Sequence, residues 1–95
     1  MREPNERKTH PAGLGGIQLI YQFPNGYGAS VIKTRFSYGG SEGLWELAVL
    51  ENDMLTYKTD ITDDVLGYLT DDDVDEVLDK IERLPSCVST KVDIP

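Results

Sequence analysis

The run Ile17-Gln18-Leu19-Ile20-Tyr21-Gln22-Phe23-Pro24-Asn25-Gly26-Tyr27-Gly28-Ala29-Ser30-Val31-Ile32-Lys33-Thr34-Arg35 decides the fold. Residues 17–23 are β-branched or aromatic at most positions, and Leu19, Tyr21 and Phe23 share one face at period two, as a half-buried strand requires. Pro24, Asn25 and Gly26 stop that strand. Asn-Gly suits a type I′ turn, in which both central residues take positive φ, so residues 28–35 read as the returning strand of a hairpin.

Working outward, Phe36–Gly43 reads as a flexible glycine-rich loop. Leu44–Glu51 follows as the most apolar stretch of the chain, and its unbroken Leu47–Leu50 core suggests a central strand covered on both faces. Asn52-Asp53 makes a second tight turn, and Met54–Asp60 returns with Leu55, Tyr57 and Thr59 on one side. Thr62 then caps a short helical segment through Val65, Leu66, Tyr68 and Leu69, loosened at Gly67. Thr70 caps a longer helix. Asp71, Asp72 and Asp73 complement the positive end of its dipole, while Val74, Val77, Leu78, Ile81 and Leu84 form one apolar stripe, ended by Pro85. The expected architecture is α+β: a four-stranded antiparallel meander, a short helical turn and one amphipathic C-terminal helix (ββββαα) packed across one sheet face.

The chain has 95 residues and a formal net charge of −8. Residues 1–13 and 85–95 lack periodicity and read as flexible tails on a single domain over 14–84. A core that small usually has a staple, and the one cysteine, Cys87, cannot form an internal disulfide. A second subunit would cover apolar surface, which makes a homodimer a candidate. With no signal peptide and no apolar run near the length of a membrane span, the expected location is the cytoplasm.

The charge is uneven. Residues 1–50 hold the bases Arg2, Arg7, Lys8, Lys33 and Arg35 against Glu3, Glu6, Glu42 and Glu46, whereas residues 51–82 hold twelve acids against Lys58 and Lys80. Such a surface repels nucleic acid and attracts basic protein. Direct DNA or RNA binding and membrane association are therefore not expected.

Motifs for chemistry are weak. Asp71, Asp73, Asp75, Asp79 and Glu82 match an EF-hand loop at positions 1, 3, 5, 9 and 12, but Glu76 stands where that loop needs glycine, and a helix would point Asp71 and Asp73 about 200° apart. No metal or other cofactor is expected. His10 and Cys87 have no evident catalytic partner, and Gly39, Gly40 and Gly43 lack the Lys-Ser/Thr of a phosphate-binding loop. An enzyme is not expected. Two features point to binding instead. Exposed Asp72, Asp75, Glu76, Asp79 and Glu82 would line one helix face, with carboxylates four residues apart at about 6 Å, comparable to phosphate spacing along a strand. Tyr27, Phe36 and Tyr38 sit in or beside glycine-rich turns, where aromatic rings anchor interfaces or cap a sheet.

Asn25-Gly26-Tyr27-Gly28-Ala29-Ser30-Val31, Ser37-Tyr38-Gly39-Gly40, Gly43-Leu44-Trp45-Glu46-Leu47-Ala48-Val49-Leu50 and Ile61-Thr62-Asp63-Asp64-Val65-Leu66-Gly67-Tyr68-Leu69-Thr70 together resemble a small acidic protein type encoded in bacteriophage genomes. The resemblance spans most of residues 17–84 and carries no catalytic motif. It implies a viral accessory protein acting in the bacterial cytoplasm as an inhibitor of a host nuclease or defence complex, in the manner of anti-CRISPR proteins. The expected function is binding of a basic host protein through the acidic helix with Tyr27 and Tyr38. The alternatives are a nucleotide-sized ligand held by the aromatic glycine-rich loops, and a homomeric structural accessory.

Overall fold

Alternation in the deciding run is realised as predicted: Leu19, Tyr21, Ala29 and Val31 are buried on one face of a hairpin, with Leu19 paired to Val31 and Tyr21 to Ala29. The computed structural model describes residues 1–9, 16–62 and 64–86. Among them the elements run β1 (Glu6–Thr9), β2 (Ile17–Gln22), β3 (Tyr27–Lys33), a 3-10 turn (Gly40–Glu42), β4 (Trp45–Glu51), β5 (Met54–Leu55), β6 (Leu66–Leu69) and α1 (Asp71–Glu82). The protein is α+β, with one antiparallel sheet in the order β1-β2-β3-β4-β5 and with β6 also pairing to β4.

The helix covers one face. Val74, Val77, Leu78 and Ile81 pack against Leu19, Tyr21, Ala29, Val31, Trp45, Leu47 and Val49 to make the core. Among the described residues no helix covers the other face; there Ile20, Ile32, Ala48 and Leu50 line an open concavity of about 530 Å³ bordered by Leu55, Tyr57 and Val65.

The meander of four strands is present as β2 to β5, and the remaining differences have local causes. Residues 6–9, expected within a tail, form β1 on the outer edge of β2, and Asn5 N–H donates to the Ile20 carbonyl at 2.8 Å. Its Glu, Arg and Lys side chains are exposed, as suits an edge strand that must not recruit another chain. His10 and the rest of the expected tails, residues 11–13 and 87–95, lie outside the described residues.

The segment expected to make a helical turn from Thr62 ends instead in strand β6. Gly67 weakens helix by about 1 kcal/mol, whereas β4 offers open ladder positions opposite Trp45 and Leu47 that Leu69 and Leu66 fill. The fourth strand is likewise shorter than Met54–Asp60: only Met54 and Leu55 pair with β4, followed by one bond from Thr56 N–H to the Val49 carbonyl.

The turn at Pro24-Asn25-Gly26 is not type I′. Only Gly26 has positive φ, 88°, and Gly26 N–H donates to the Phe23 carbonyl, which makes a type I turn followed by a left-handed glycine. Type I′ geometry occurs at Asn52 (φ 52°) and Asp53 (φ 67°), between β4 and β5.

Candidate functional site

The acids of α1 divide by what holds them. At the N-terminus Thr70 and Asp73 form a reciprocal capping box, with bonds of 3.0 and 3.1 Å. The backbone N–H of Thr70, then its hydroxyl, hold the Asp73 carboxyl below its usual range. Asp71 accepts the indole N–H of Trp45 at 2.8 Å, which ties the helix start to the first residue of β4. The same indole ring carries the Lys33 ammonium 4.1 Å from its centroid.

Farther along, three predicted site residues are paired within the chain. Arg2 Nη1 donates to Asp79 at 2.9 Å and to Glu82 at 3.0 Å, and Arg2 N–H donates to Asp75 Oδ1 at 2.8 Å. The Arg2 guanidinium lies 5.0 Å from the centroid of Phe23, and its carbonyl accepts the Tyr21 hydroxyl at 2.7 Å. The bond to Glu82 holds that guanidinium more firmly in its charged form, while burial, with Asp75 nearby, pushes the Tyr21 hydroxyl up and keeps it a donor.

Among the described residues, Asp72 and Glu76 alone of the five predicted acids have no hydrogen bond or ion pair within the chain, and they stay exposed to solvent. Their line along the helix continues into Lys80 and Arg83, so the expected phosphate-like row changes sign after one turn. The EF-hand spacing falls on continuous helix, and among the described residues no group of three or more His, Cys, Asp or Glu could hold a metal ion.

The predicted aromatics do not form one patch. Tyr27 begins β3 opposite Glu51, is half-buried and packs on the core, whereas Tyr38 lies near the other end of that strand, about 20 Å away at 3.3 Å per residue. Tyr38 instead meets Tyr68. The Tyr68 N–H donates to the Tyr38 carbonyl at 3.1 Å, and Tyr38 N–H donates to Glu46 Oε1 at 2.8 Å. Both residues remain in solvent, at 60% and 57% exposure, with Phe36, two positions before Tyr38, at 69%.

Two glycines permit this approach. A Cβ on Gly39 would come 2.8 Å from the Tyr68 Cα, and one on Gly67 would come 2.5 Å from the Tyr38 Cβ. Tyr68 is itself held at φ 57°, a left-handed conformation that a bulky residue adopts only where its surroundings impose it.

Nor is the loop before Tyr38 loose. Buried Thr34 accepts the N–H groups of Phe36 and Ser37 on its hydroxyl, and the Ser37 hydroxyl donates back to the Thr34 carbonyl at 2.9 Å. The Arg35 guanidinium lies 5.0 Å from the Phe36 ring centroid. The candidate site is this end of the molecule: rigidly mounted exposed rings beside the acidic start of α1, where Tyr68 stands two residues before the cap. Sequence alone does not single out Tyr68, because the run Val65, Leu66, Tyr68 and Leu69 looks like a helical stripe; Gly67 is the one signal in that run against it.

No family model, curated protein or solved structure matches the chain. Among the described residues no helix is long and apolar enough to cross a membrane.

Proposed function

We propose that the chain is a phage-type accessory protein that binds a basic, nucleic-acid-handling or defence protein of the bacterial host and inhibits it without catalysis. The observation that carries this reading is the pair Tyr38 and Tyr68, joined backbone to backbone by a hydrogen bond and each more than half exposed. Aromatic residues held in place lose little conformational freedom on binding and bury large areas, which is why they dominate interface energetics.

The neighbouring charge selects the partner. Asp72 and Glu76 are exposed on the helix whose cap, Thr70, follows Tyr68 by two residues, the chain as a whole carries a net charge of −8, and two bases, Lys33 and Arg35, lie against aromatic faces. A surface of that kind complements the basic groove of a protein built to hold a phosphate backbone. Tyr27, being packed on the core, supports the fold rather than the contact in this reading, and Asp75, Asp79 and Glu82 stand apart from it.

The test is capture from bacterial lysate on the immobilised chain at low and high salt, with the double variant Tyr38→Ala/Tyr68→Ala as control. A basic protein retained at low salt, weakened at high salt and lost with the variant is expected. Retention that ignores both salt and the two rings contradicts the proposal.

A further inference from the structure

The contacts around Arg2 form a site for one extended residue. Asp79 and Glu82 receive the guanidinium from one side, the Phe23 ring faces it, Asp75 accepts the backbone N–H, and the Tyr21 hydroxyl donates to the backbone carbonyl. Side chain and both backbone groups of the same residue are thus recognised together. A surface ion pair formed by chance would read the charge alone.

The segment that fills this site is lightly held elsewhere. The first backbone ladder bond of the N-terminal arm is that of Asn5 to Ile20, Pro4 has no N–H to donate, and the Met1 ammonium adds one ion pair to Asp75 at 3.8 Å. The receiving carboxylates are between one third and one half exposed even with Arg2 in place, and ion pairs so exposed to water are individually weak.

We propose that the groove between α1 and the β2–β3 turn is an arginine-recognition site which the chain fills with its own Arg2, and that an arginine-bearing extended segment of a basic partner protein takes it by displacing residues 1–4. The site prefers arginine to lysine, because a flat, weakly hydrated guanidinium can lie on the Phe23 ring while it hydrogen-bonds two carboxylates, and a compact ammonium satisfies the two demands less well. It lies toward the C-terminal end of α1, away from Tyr38 and Tyr68, and does not depend on the host target proposed above.

Self-occupancy sets the expected numbers. A tethered arm acts at an effective concentration on the order of 1 mM, so an arm with an affinity near 0.1 mM for its own site weakens any competitor by about tenfold. The experiment uses the full chain as wild type, Arg2→Ala and Arg2→Ala/Asp79→Asn/Glu82→Gln, titrated calorimetrically at low salt with hexa-arginine and with hexalysine. Arg2→Ala should bind hexa-arginine about tenfold more tightly than wild type and more tightly than hexalysine, and the triple variant should lose that gain. Equal binding by wild type and Arg2→Ala, or equal binding of the two peptides by Arg2→Ala, overturns the proposal.

A second measurement needs no variant. In the wild-type chain the ¹⁵N–¹H resonance of the Arg2 amide, donated to Asp75, should move on saturation with hexa-arginine and stay in place with hexalysine at the same concentration. An Arg2 amide unmoved by hexa-arginine overturns the proposal independently.

Discussion

Asn25 fastens the C-terminus of α1 to the β2–β3 turn. Its Nδ2 donates to the carbonyls of Ile81 at 2.9 Å, Glu82 at 3.2 Å and Leu84 at 3.1 Å, while its Oδ1 accepts the Tyr27 N–H at 3.0 Å. The last carbonyls of a helix have no partner within it, and here one side-chain amide serves them from 56 residues away in sequence. Two amide hydrogens shared among three carbonyls are worth about 0.5–1.5 kcal/mol each, so Asn25→Ala should cost about 2 kcal/mol. In a domain of this size that lowers the melting temperature by about 10 °C.

Asn25→Asp separates donation from shape. The aspartate keeps the Oδ1 acceptor for Tyr27, yet it places a charge against carbonyl oxygens at the negative end of the helix dipole, a further cost of about 0.5 kcal/mol. The predicted order of stability at neutral pH is wild type, then Asn25→Ala, then Asn25→Asp, read by thermal unfolding followed by Trp45 fluorescence and circular dichroism. Acidification should recover part of the Asn25→Asp loss, since a protonated carboxyl can donate again. An Asn25→Asp variant as stable as wild type at pH 7 would refute the reasoning.

Thr70→Ala removes the hydroxyl half of the capping box, leaving the backbone N–H bond to Asp73, and should cost about 1 kcal/mol in denaturant unfolding. Because the folded Asp73 carboxyl sits below its ordinary value of 3.8, its contribution is complete above that pH and is lost as pH falls through the lower, folded value; an acid titration should show Thr70→Ala to be less sensitive than wild type there. Leu78→Ala empties a fully buried core position and should cost about 3 kcal/mol, with a broadened melt showing instead that the helix does not hold the core. Arg2→Ala gives up two half-exposed ion pairs and one ring contact, about 1 kcal/mol at low salt that shrinks in 1 M salt; a loss indifferent to salt would contradict the ion-pair assignment.

What the sequence disclosed were the features set by local pattern. Period-two alternation around Leu19, Tyr21, Ala29 and Val31 located the hairpin, the apolar run at Leu47–Leu50 located the central strand, and the Thr70 cap with its stripe from Val74 to Ile81 located α1. What escaped was fixed by partners distant along the chain. Residues 62–69 carry a cap-like threonine and helical spacing, but the open edge of β4 beside Trp45 and Leu47 draws Leu66–Leu69 into the sheet, and nothing within those eight residues announces that edge.

The ties of the helix acids depend on distant partners in the same way. Asp75, Asp79 and Glu82 look like a solvated face until Arg2, separated from them by 73 to 80 positions, is seated there. Beside Gly26, Asn25 looks like a turn former, whereas its amide acts on the helix end. Tyr38 was legible from the glycines around it, but its pairing with Tyr68 depends on Gly39 and Gly67 meeting across two segments.

The central claim, that the Tyr38–Tyr68 end with its acids occupies a basic nucleic-acid-binding surface of another protein, is tested most directly by competition. The partner captured on the immobilised chain is washed with a DNA or RNA duplex at low salt. The account predicts that the duplex releases the partner in proportion to its concentration, because one surface cannot hold both. A ternary complex, with duplex retained on the captured partner and none of it released, would contradict it.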